Sequence, residues 1–479
     1  MRLNEEEEVV FKMLLLVNLP YATKIYSGLN KAAAVQPPLG LAYIASYVRE
    51  RGVDVELVDC NALEMTMEAT VEHAAKSKHE FVGVTSTTNT IYLAFEFARK
   101  LKEKAPEKKI IAGGVHVTFV DEGSMQECPE IDIIVRNEGE KTTHEIVSGA
   151  PLESIKGITY RAADGSIHRN PDADLILDLN SLPFPARDLL PMDKYRPGAF
   201  FNIGKKGKHY MTMISSRGCP NKCVFCSSSH YWRYLRLRSP DNIIKEIDEL
   251  HEKYGVKHIH FLDDTLTVPK QRIERICDLL IERKYGIEWN TYSRVDVIDE
   301  ALVSKMVKAG CFGITFGVES GNQEILNKIR KNITLDQVRN AVRICKKAGI
   351  DLHCDFMVGL PGDDEKTMQD TIDFALELDP NIALFSITTP FPGTELYRDL
   401  KEKGILENVK WSDASLHGTK NVSNGIVSAE TIRKYYKKAY NSFYFRPKFF
   451  AKSLKRLATH PREIYPFLLG GAYMLTEKR

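Results

Sequence analysis

The chain has 479 residues, 43% of them hydrophobic and 27% charged, with a formal net charge of +2. That length suits two or three domains. The near-neutral balance excludes the overall basic field of a nucleic-acid-binding protein. Three of the nine cysteines fall between positions 219 and 226, which points to metal binding in a reducing compartment and away from a secreted disulfide scaffold. The opening MRLNEEEEVV is acidic where a signal peptide would be basic, and no apolar run reaches 18 residues. The expectation is a soluble, cytoplasmic protein.

Residues 10–150 alternate apolar runs with amphipathic segments. KMLLLVNLP, DVELVD, FVGVTST, KKIIAGGVH and IDIIVRNEGE read as five strands. PLGLAYIASYVRERG, stopping at Gly52, and IYLAFEFARKLKEK read as helices between them. This alternation predicts a doubly wound parallel sheet, whose ligands sit outside the carboxyl ends of the strands. Those ends carry Asn18, Pro20, the run from Thr85 through Ser86 and Thr87 to Thr90, Gly113, Gly114, His116, Glu138, Gly139 and Glu140.

Residues 151–208 read as a linker. GITYRAADGSIHRNP predicts a hairpin around Asp164-Gly165, and LNSLPFPARDLLPMDKY an extended tether.

In residues 209–406 strand–helix units resume. A short strand, MTMIS, precedes Cys219, Cys223 and Cys226, spaced C-x3-C-x2-C in a loop bent by Gly218 and Pro220. Three such thiolates can hold three corners of a cubane iron–sulfur cluster, and the missing fourth cysteine leaves one iron open to a small ligand. HIHFLDD, IEWNTYS, FGITFGVES, DLHCDFMVGLP and NIALFSITTP bring the strands to six, a partial (β/α)6 barrel. Helices are expected to start at Ser239-Pro240 and Thr334 and to stop at Gly255 and Gly349. Functional residues gather at the carboxyl ends of barrel strands: Asp263, Asp264, Ser293, Arg294, Gly317, Glu319, Ser320 and Gly359–Gly362. Cys277, Cys311, Cys345 and Cys354 have no ligand spacing and read as packed thiols.

Residues 407–479 read as a helical cap. The stretch from Thr431 to Arg462 has no acidic residue and many lysines, arginines and aromatics; YPFLLGGAYML follows. Packing of its aromatics on the barrel is the favoured reading, and peripheral contact with an anionic membrane the alternative.

The cysteine spacing, with Phe225 just before the last cysteine, resembles the cluster loop of radical S-adenosylmethionine enzymes. QPPLGLAYIASYVRERG, TSTTNT, AGGVHVTFVDE and RNEGE resemble the cobalamin-binding domain that precedes many of them, and LPFPARDLLP their connection. The resemblance implies a [4Fe–4S] cluster on Cys219, Cys223 and Cys226, its open iron chelated by the amino and carboxylate groups of S-adenosylmethionine. It implies contacts to that cofactor from Phe225, Asp263, Asp264, Arg294, Glu319, Ser320, Gly359 and Pro361. It implies a cobalamin bordered by Thr85, Ser86, Thr87, Gly113, Gly114, His116, Glu138 and Gly139. The D-x-H-x-x-G signature that supplies a lower histidine ligand is absent, so cobalt would carry no protein histidine. The implied activity is methylation of an unactivated carbon through a 5′-deoxyadenosyl radical and methylcobalamin, in an anaerobic setting. A ferredoxin- or flavodoxin-type reductant and a small-molecule, lipid or peptide substrate would be the partners. The alternative keeps the cluster but performs cyclisation, C–C coupling or oxidation, with or without cobalamin.

Overall fold

The computed structural model describes residues 13–21, 34–198, 209–406, 411, 414–415, 418–419 and 422–459. The expected YPFLLGGAYML segment and residues 199–208 of the expected linker lie outside them. The described residues form two compact units.

The first unit holds β1 (Leu14–Asn18) with Pro38–Ile176 and Leu182–Pro191. Helix α1 (Leu39–Arg49), β2 (Val55–Asp59), α2 (Met67–Lys76), β3 (Phe81–Thr85), α3 (Ile91–Lys104), β4 (Lys109–Gly113), α4 (Val115–Phe119), α5 (Asp121–Glu127), β5 (Ile133–Val135) and α6 (Glu140–Val147) follow in order. The five strands run parallel in the order β2-β1-β3-β4-β5. Their fully buried Leu, Val and Ile runs are those of a sheet covered on both faces. The order reverses between β1 and β3, the place where such sheets bind ligands.

The hairpin expected in the linker belongs to this unit. β6 (Ile158–Arg161) pairs antiparallel with β5, and β7 (Ile167–Arg169) with β6, so the sheet has seven strands and the linker begins later than residue 150. The cause is Arg136, only 1% exposed. It donates to the Ile158 carbonyl at 2.6 Å and the Asn170 carbonyl at 2.5 Å, and pairs with Asp172 at 3.2 Å and Asp121 at 3.4 Å. A buried guanidinium needs such partners, and most of them lie on the hairpin.

The second unit takes residues 34–37, Leu177–Ser181 and the described residues from 192 onward. Six parallel strands lie in chain order: β8 (Tyr210–Met213), β11 (His258–Phe261), β12 (Glu288–Ser293), β13 (Cys311–Glu319), β14 (Asp351–Val358) and β15 (Ile382–Ile387). A short ladder of β9 (Ser216–Arg217) and β10 (Arg236–Leu237), with helix α7 (Ser228–Tyr231) between them, interrupts the first crossover. Helices α8 (Pro240–Tyr254), α9 (Lys270–Arg283), α10 (Glu300–Lys308), α11 (Gln323–Lys328), α12 (Leu335–Lys347), α13 (Glu365–Leu378) and α14 (Glu395–Glu402) fill the later connections. Ser239 caps α8, Thr334 makes a capping box on α12, and Gly255 and Gly349 adopt positive φ at the predicted stops.

On β14 the residues alternate strictly. Leu352, Cys354, Phe356 and Val358 are wholly buried, while His353, Asp355 and Met357 on the other face stay half-buried. One face therefore packs on helices, and the other carries the polar residues His353 and Asp355.

Helices α15 (Ala429–Tyr444) and α16 (Pro447–Thr459) close the described chain. The hydroxyls of Tyr440 and Tyr444 bond the backbone of Phe385 and Ala383 on β15. The expected cap thus covers a sheet edge, the usual remedy for unpaired strand backbone. No described helix is long and apolar enough to cross a membrane.

Candidate active site

The cysteine loop is held at its ends and in its middle. The β9–β10 ladder sets Arg217 opposite Arg236. Gly218 follows with φ +92°, and a Cβ there would lie 2.6 Å from the Tyr234 carbonyl oxygen, so the turn requires glycine. Buried Val224 donates its amide to the Ile329 carbonyl at 3.1 Å and accepts from the Leu396 amide at 3.0 Å. The Phe225 ring packs on Leu396, Leu400 and Val422.

Cys219, Cys223 and Cys226 are the part-buried cysteines; the other six are buried, including the four expected to be packed thiols. Among the described residues no three His, Cys, Asp or Glu side chains could hold a single metal ion. A cubane asks for something else, three thiolates on three separate irons, and a fixed half-buried loop of three thiols fits that demand. Burial pushes the Cys226 thiol up to about 12 and raises that of Cys223. Both need the positive charge of iron to lose their protons.

Behind the loop lies a buried charge network. Asp263, 1% exposed, accepts from the Ser215 amide at 3.1 Å, from the Ser215 hydroxyl at 2.7 Å and from the Ser216 hydroxyl. Arg272 donates to the Ser215 carbonyl at 2.6 Å and to the Arg238 carbonyl at 3.0 Å, while Arg238 pairs with Glu246. Asp263 is thus engaged with the strand that leads into the cysteines. Its neighbour Asp264 is exposed and accepts from the Ser228 hydroxyl.

Glu319 ends β13 with φ +71°, unusual for a residue with a side chain, and takes the Lys331 ammonium at 2.7 Å. A Cβ on Gly317 would sit 2.5 Å from the Glu319 carboxylate and 2.9 Å from the Lys331 ammonium, so a side chain there would displace that pair. Burial opposes the Lys331 charge, but Glu319 and then Cys223 outweigh it and its pKa is raised. Arg294 is doubly bonded to Asp296 at 2.9 Å and donates to the Lys331 carbonyl at 3.1 Å. It orients the loop that carries Lys331. Ser320 is buried against Thr371 at 3.2 Å and accepts from the Asn322 amide. The Gly359–Gly362 turn is closed by Asp363 and seated under Ile432 and Asn424.

Asp355 stands beside Gly317 on the inner face. Among the described residues it accepts no hydrogen bond. Burial, then the Glu319 charge, push it up to about 7 against the pull of Lys331. Neither Lys331 nor Asp355 was singled out in the sequence. The polar alternation of DLHCDFMV could have marked Asp355; Lys331 sits in an irregular loop with no pattern.

At the strand ends of the first unit, Gly114 has φ +106°, and a Cβ there would be 2.2 Å from the Ser86 carbonyl oxygen. Thr85, Ser86 and Gly113 meet around that close approach. The Ser86 hydroxyl is buried without a hydrogen-bond partner among the described residues. Gly114 is glycine because the Ser86 backbone fills its side-chain position, and the unanswered Ser86 hydroxyl beside it is a polar group that a bound ligand such as cobalamin would satisfy. Thr87 forms a turn with Thr90 at 2.9 Å. Other expected contacts are engaged internally. His116 is 4% exposed, bonded to Thr88 at 3.1 Å and held neutral, its pKa lowered by burial to about 4. Glu138 accepts the Ile176 amide at 2.9 Å, and Gly139 lets Ile44 of α1 pack close.

Residues 213–375 match the Radical SAM superfamily and residues 28–147 the B12 binding domain. The "Uncharacterized methyltransferase PH0819" of Pyrococcus horikoshii is 37% identical, over 87% of this chain and 90% of that protein. The chain belongs to the cobalamin-binding radical S-adenosylmethionine family. Within it, the "Anaerobic magnesium-protoporphyrin IX monomethyl ester cyclase" of Rubrivivax gelatinosus is 30% identical, over 79% of this chain and 69% of its own length. The fold is shared with OxsB, solved with aqua-cobalamin and S-adenosylmethionine, at TM-score 0.73 and 20% identity over 97% of this chain and 73% of that one. It is shared with TsrM from Kitasatospora setae, solved with cobalamin and a [4Fe-4S] cluster, at TM-score 0.67 and 18% identity over 88% and 81%. The α/β fold expected from the sequence is thus the fold of these structures.

Proposed function

We propose that the protein is a cobalamin-dependent radical S-adenosylmethionine methyltransferase that modifies an unactivated carbon of a small molecule. The observation that carries this reading is the three-thiol loop, whose Cys223 feels the charges of Lys331, Glu319 and Arg294, beside an Asp355 carboxylate that accepts no hydrogen bond among the described residues. When bound, the cluster, S-adenosylmethionine and cobalamin supply reductive cleavage, a carbon-centred radical and a transferable methyl group.

The chain's own residues bind and orient. Cys219, Cys223 and Cys226 hold the cluster. Asp264, exposed beside the loop, suits the cationic amino group of S-adenosylmethionine, and Lys331 its carboxylate. Asp355 suits the ribose hydroxyls, with Glu319 holding Lys331 in place. Phe225 and the Gly359–Pro361 turn border the adenine. Asp263, Arg294 and Ser320 position these groups and do not touch the cofactor. In the first unit Thr85, Ser86, Thr87, Gly113 and Gly114 border the corrin. Glu138 and Gly139 support them, and His116, already bonded and neutral, gives cobalt no ligand. The C-terminal segment is a cap over the β15 edge.

A second reading, radical cyclisation, is favoured by the identity to the cyclase. The test is incubation of reduced, reconstituted protein with S-adenosylmethionine carrying a deuterated methyl group and added cob(II)alamin. Labelled methyl on cobalt supports methyl transfer. Formation of 5′-deoxyadenosine without label on cobalt supports the second reading. Substitution of the three cysteines by alanine should abolish both.

A further inference from the structure

Helix α16 is amphipathic, and it sits with its two sides reversed. Its cationic side faces the protein. Lys448 reaches the Asp379 carboxylate at 3.2 Å, and the Lys452 ammonium lies 3.5 Å from the carbonyls of Asp379 and Pro380. Arg446, just before the helix, pairs with the same Asp379. These cations answer the carbonyl end of α13, where positive charge is favoured. Phe449 packs its ring on Tyr444 at 4.9 Å and on Phe443 at 5.9 Å. On the side away from the lysines, Phe450 and Leu454 stand four residues apart on one face and are 48% and 68% exposed. An amphipathic helix ordinarily buries its apolar face. Here that face points outward.

The surface that leads to this face is basic. From Thr431 to Arg462 the sequence has ten lysines and arginines and no acidic residue. On α15, Lys434, Lys437, Lys438 and Asn441 follow one another at helical spacing and are exposed. The three lysines have no acidic partner among the described residues. Their row ends at Phe445, 48% exposed, where α16 branches off. Lysine is depleted in the cores of protein–protein interfaces. Exposed lysines beside exposed aromatic and aliphatic side chains match instead a surface that is anionic outside and apolar beneath. Asp379 and Pro380 immediately precede β15, so α16 lies at the amino ends of the barrel strands, away from the carboxyl ends that carry the candidate site.

We infer that Phe450 and Leu454 of α16, with the lysine row of α15, seat the protein on an anionic lipid bilayer as a peripheral contact. The two apolar side chains enter the boundary between headgroups and acyl chains, and Lys434, Lys437 and Lys438 meet lipid phosphates. The contact keeps the three-cysteine end of the barrel off the bilayer and is independent of the cofactor chemistry.

The test is sedimentation of the full 479-residue chain with vesicles of phosphatidylcholine alone and of phosphatidylcholine mixed with phosphatidylglycerol, at low and high salt. The wild type should bind the mixed vesicles at least about tenfold more tightly, because each lysine near an anionic surface contributes a factor of about five. High salt should remove most of that difference. K434E/K437E/K438E should weaken binding to the mixed vesicles at least about tenfold and leave binding to the neutral ones unchanged. F450S/L454S should weaken binding at least about tenfold on both vesicles and at either salt. Helix content and the unfolding midpoint by circular dichroism should match wild type in both variants. A wild type that stays in the supernatant with both vesicles overturns the proposal. So does F450S/L454S that binds like wild type, which would move the contact to another part of the chain. Self-association of the wild type that F450S/L454S abolishes, without any lipid binding, would make this face a contact between copies and equally overturns it.

Discussion

Replacing Asp263 by asparagine separates two roles that the sequence cannot tell apart. Its carboxylate accepts from the Ser215 amide, the Ser215 hydroxyl at 2.7 Å and the Ser216 hydroxyl, and it offsets the charge of buried Arg272. All three donors reach Oδ1, so asparagine can keep an acceptor there, but it removes the negative charge that strengthens these bonds and answers Arg272. Hydrogen bonds to a charged group contribute about 1.5–3 kcal/mol each and neutral ones about 0.5–1.5, so three bonds weakened by about 1–1.5 kcal/mol each give a loss of about 3–4.5 kcal/mol. In a domain of this size each kcal/mol shifts Tm by about 2–4 °C, so Asp263→Asn should lower it by about 10 °C. Ser215 and Ser216 lead directly into Cys219, so iron retained after desalting should fall in parallel. Anaerobic thermal unfolding by circular dichroism, with iron analysis of the same sample, measures both. If Tm and iron match wild type and only S-adenosylmethionine binding weakens, Asp263 contacts the cofactor directly and the positioning role assigned to it is wrong.

Tyr440→Phe and Tyr444→Phe each strip a hydroxyl from the β15 edge and should cost about 1–3 kcal/mol. Faster hydrogen exchange at the Phe385 and Ala383 amides respectively would show where the loss falls; unchanged exchange would contradict the edge-capping role. Arg136→Met removes the charge-assisted hydrogen bonds to the Ile158 and Asn170 carbonyls, while Asp121 keeps Arg169 and Thr159, and should destabilise the first unit by about 3–6 kcal/mol. Limited proteolysis should then cut within 158–169, and a hairpin that stays protected would argue against Arg136 as its anchor. Burial lowers His258 to about 4 and His260 to about 3. The unfolded state therefore binds more protons below the ordinary histidine value of about 6.5, and stability is full above that pH and falls as pH drops toward 4. His258→Gln should flatten that fall in a pH series of unfolding midpoints; an unaltered slope would mean that His258 is not held neutral.

The strands were legible because their apolar runs are long and bounded by Gly, Asp and Thr, and the cysteine loop because its spacing is chemically specific. The hairpin was visible as a hairpin, but not its place in the sheet, which depends on Arg136 reaching Asn170 and Asp172 far along the chain. Asp263 and Asp264 are adjacent letters with opposite surroundings, one facing Ser215 and the other half of a surface pair with Ser228. Periodicity cannot see that difference. Arg294 and Glu319 carry complementary charges at neighbouring strand ends, yet Lys331 takes Glu319 and Asp296 takes Arg294. Such partner choices are made by loops folding back, and no local pattern encodes them. Packing of the α15 aromatics on the barrel was legible, but not that the tyrosine hydroxyls would bond the β15 backbone.

The most direct test of the central claim is the metal content of anaerobically purified, cluster-reconstituted protein incubated with hydroxocobalamin and then desalted. Iron and cobalt are measured beside the ultraviolet–visible spectrum. The account predicts a full four-iron cluster, one cobalt per chain and a base-off spectrum with no histidine on the metal. A full iron complement with no retained cobalt would contradict it, leaving a radical enzyme whose first unit serves some purpose other than carrying a methyl group.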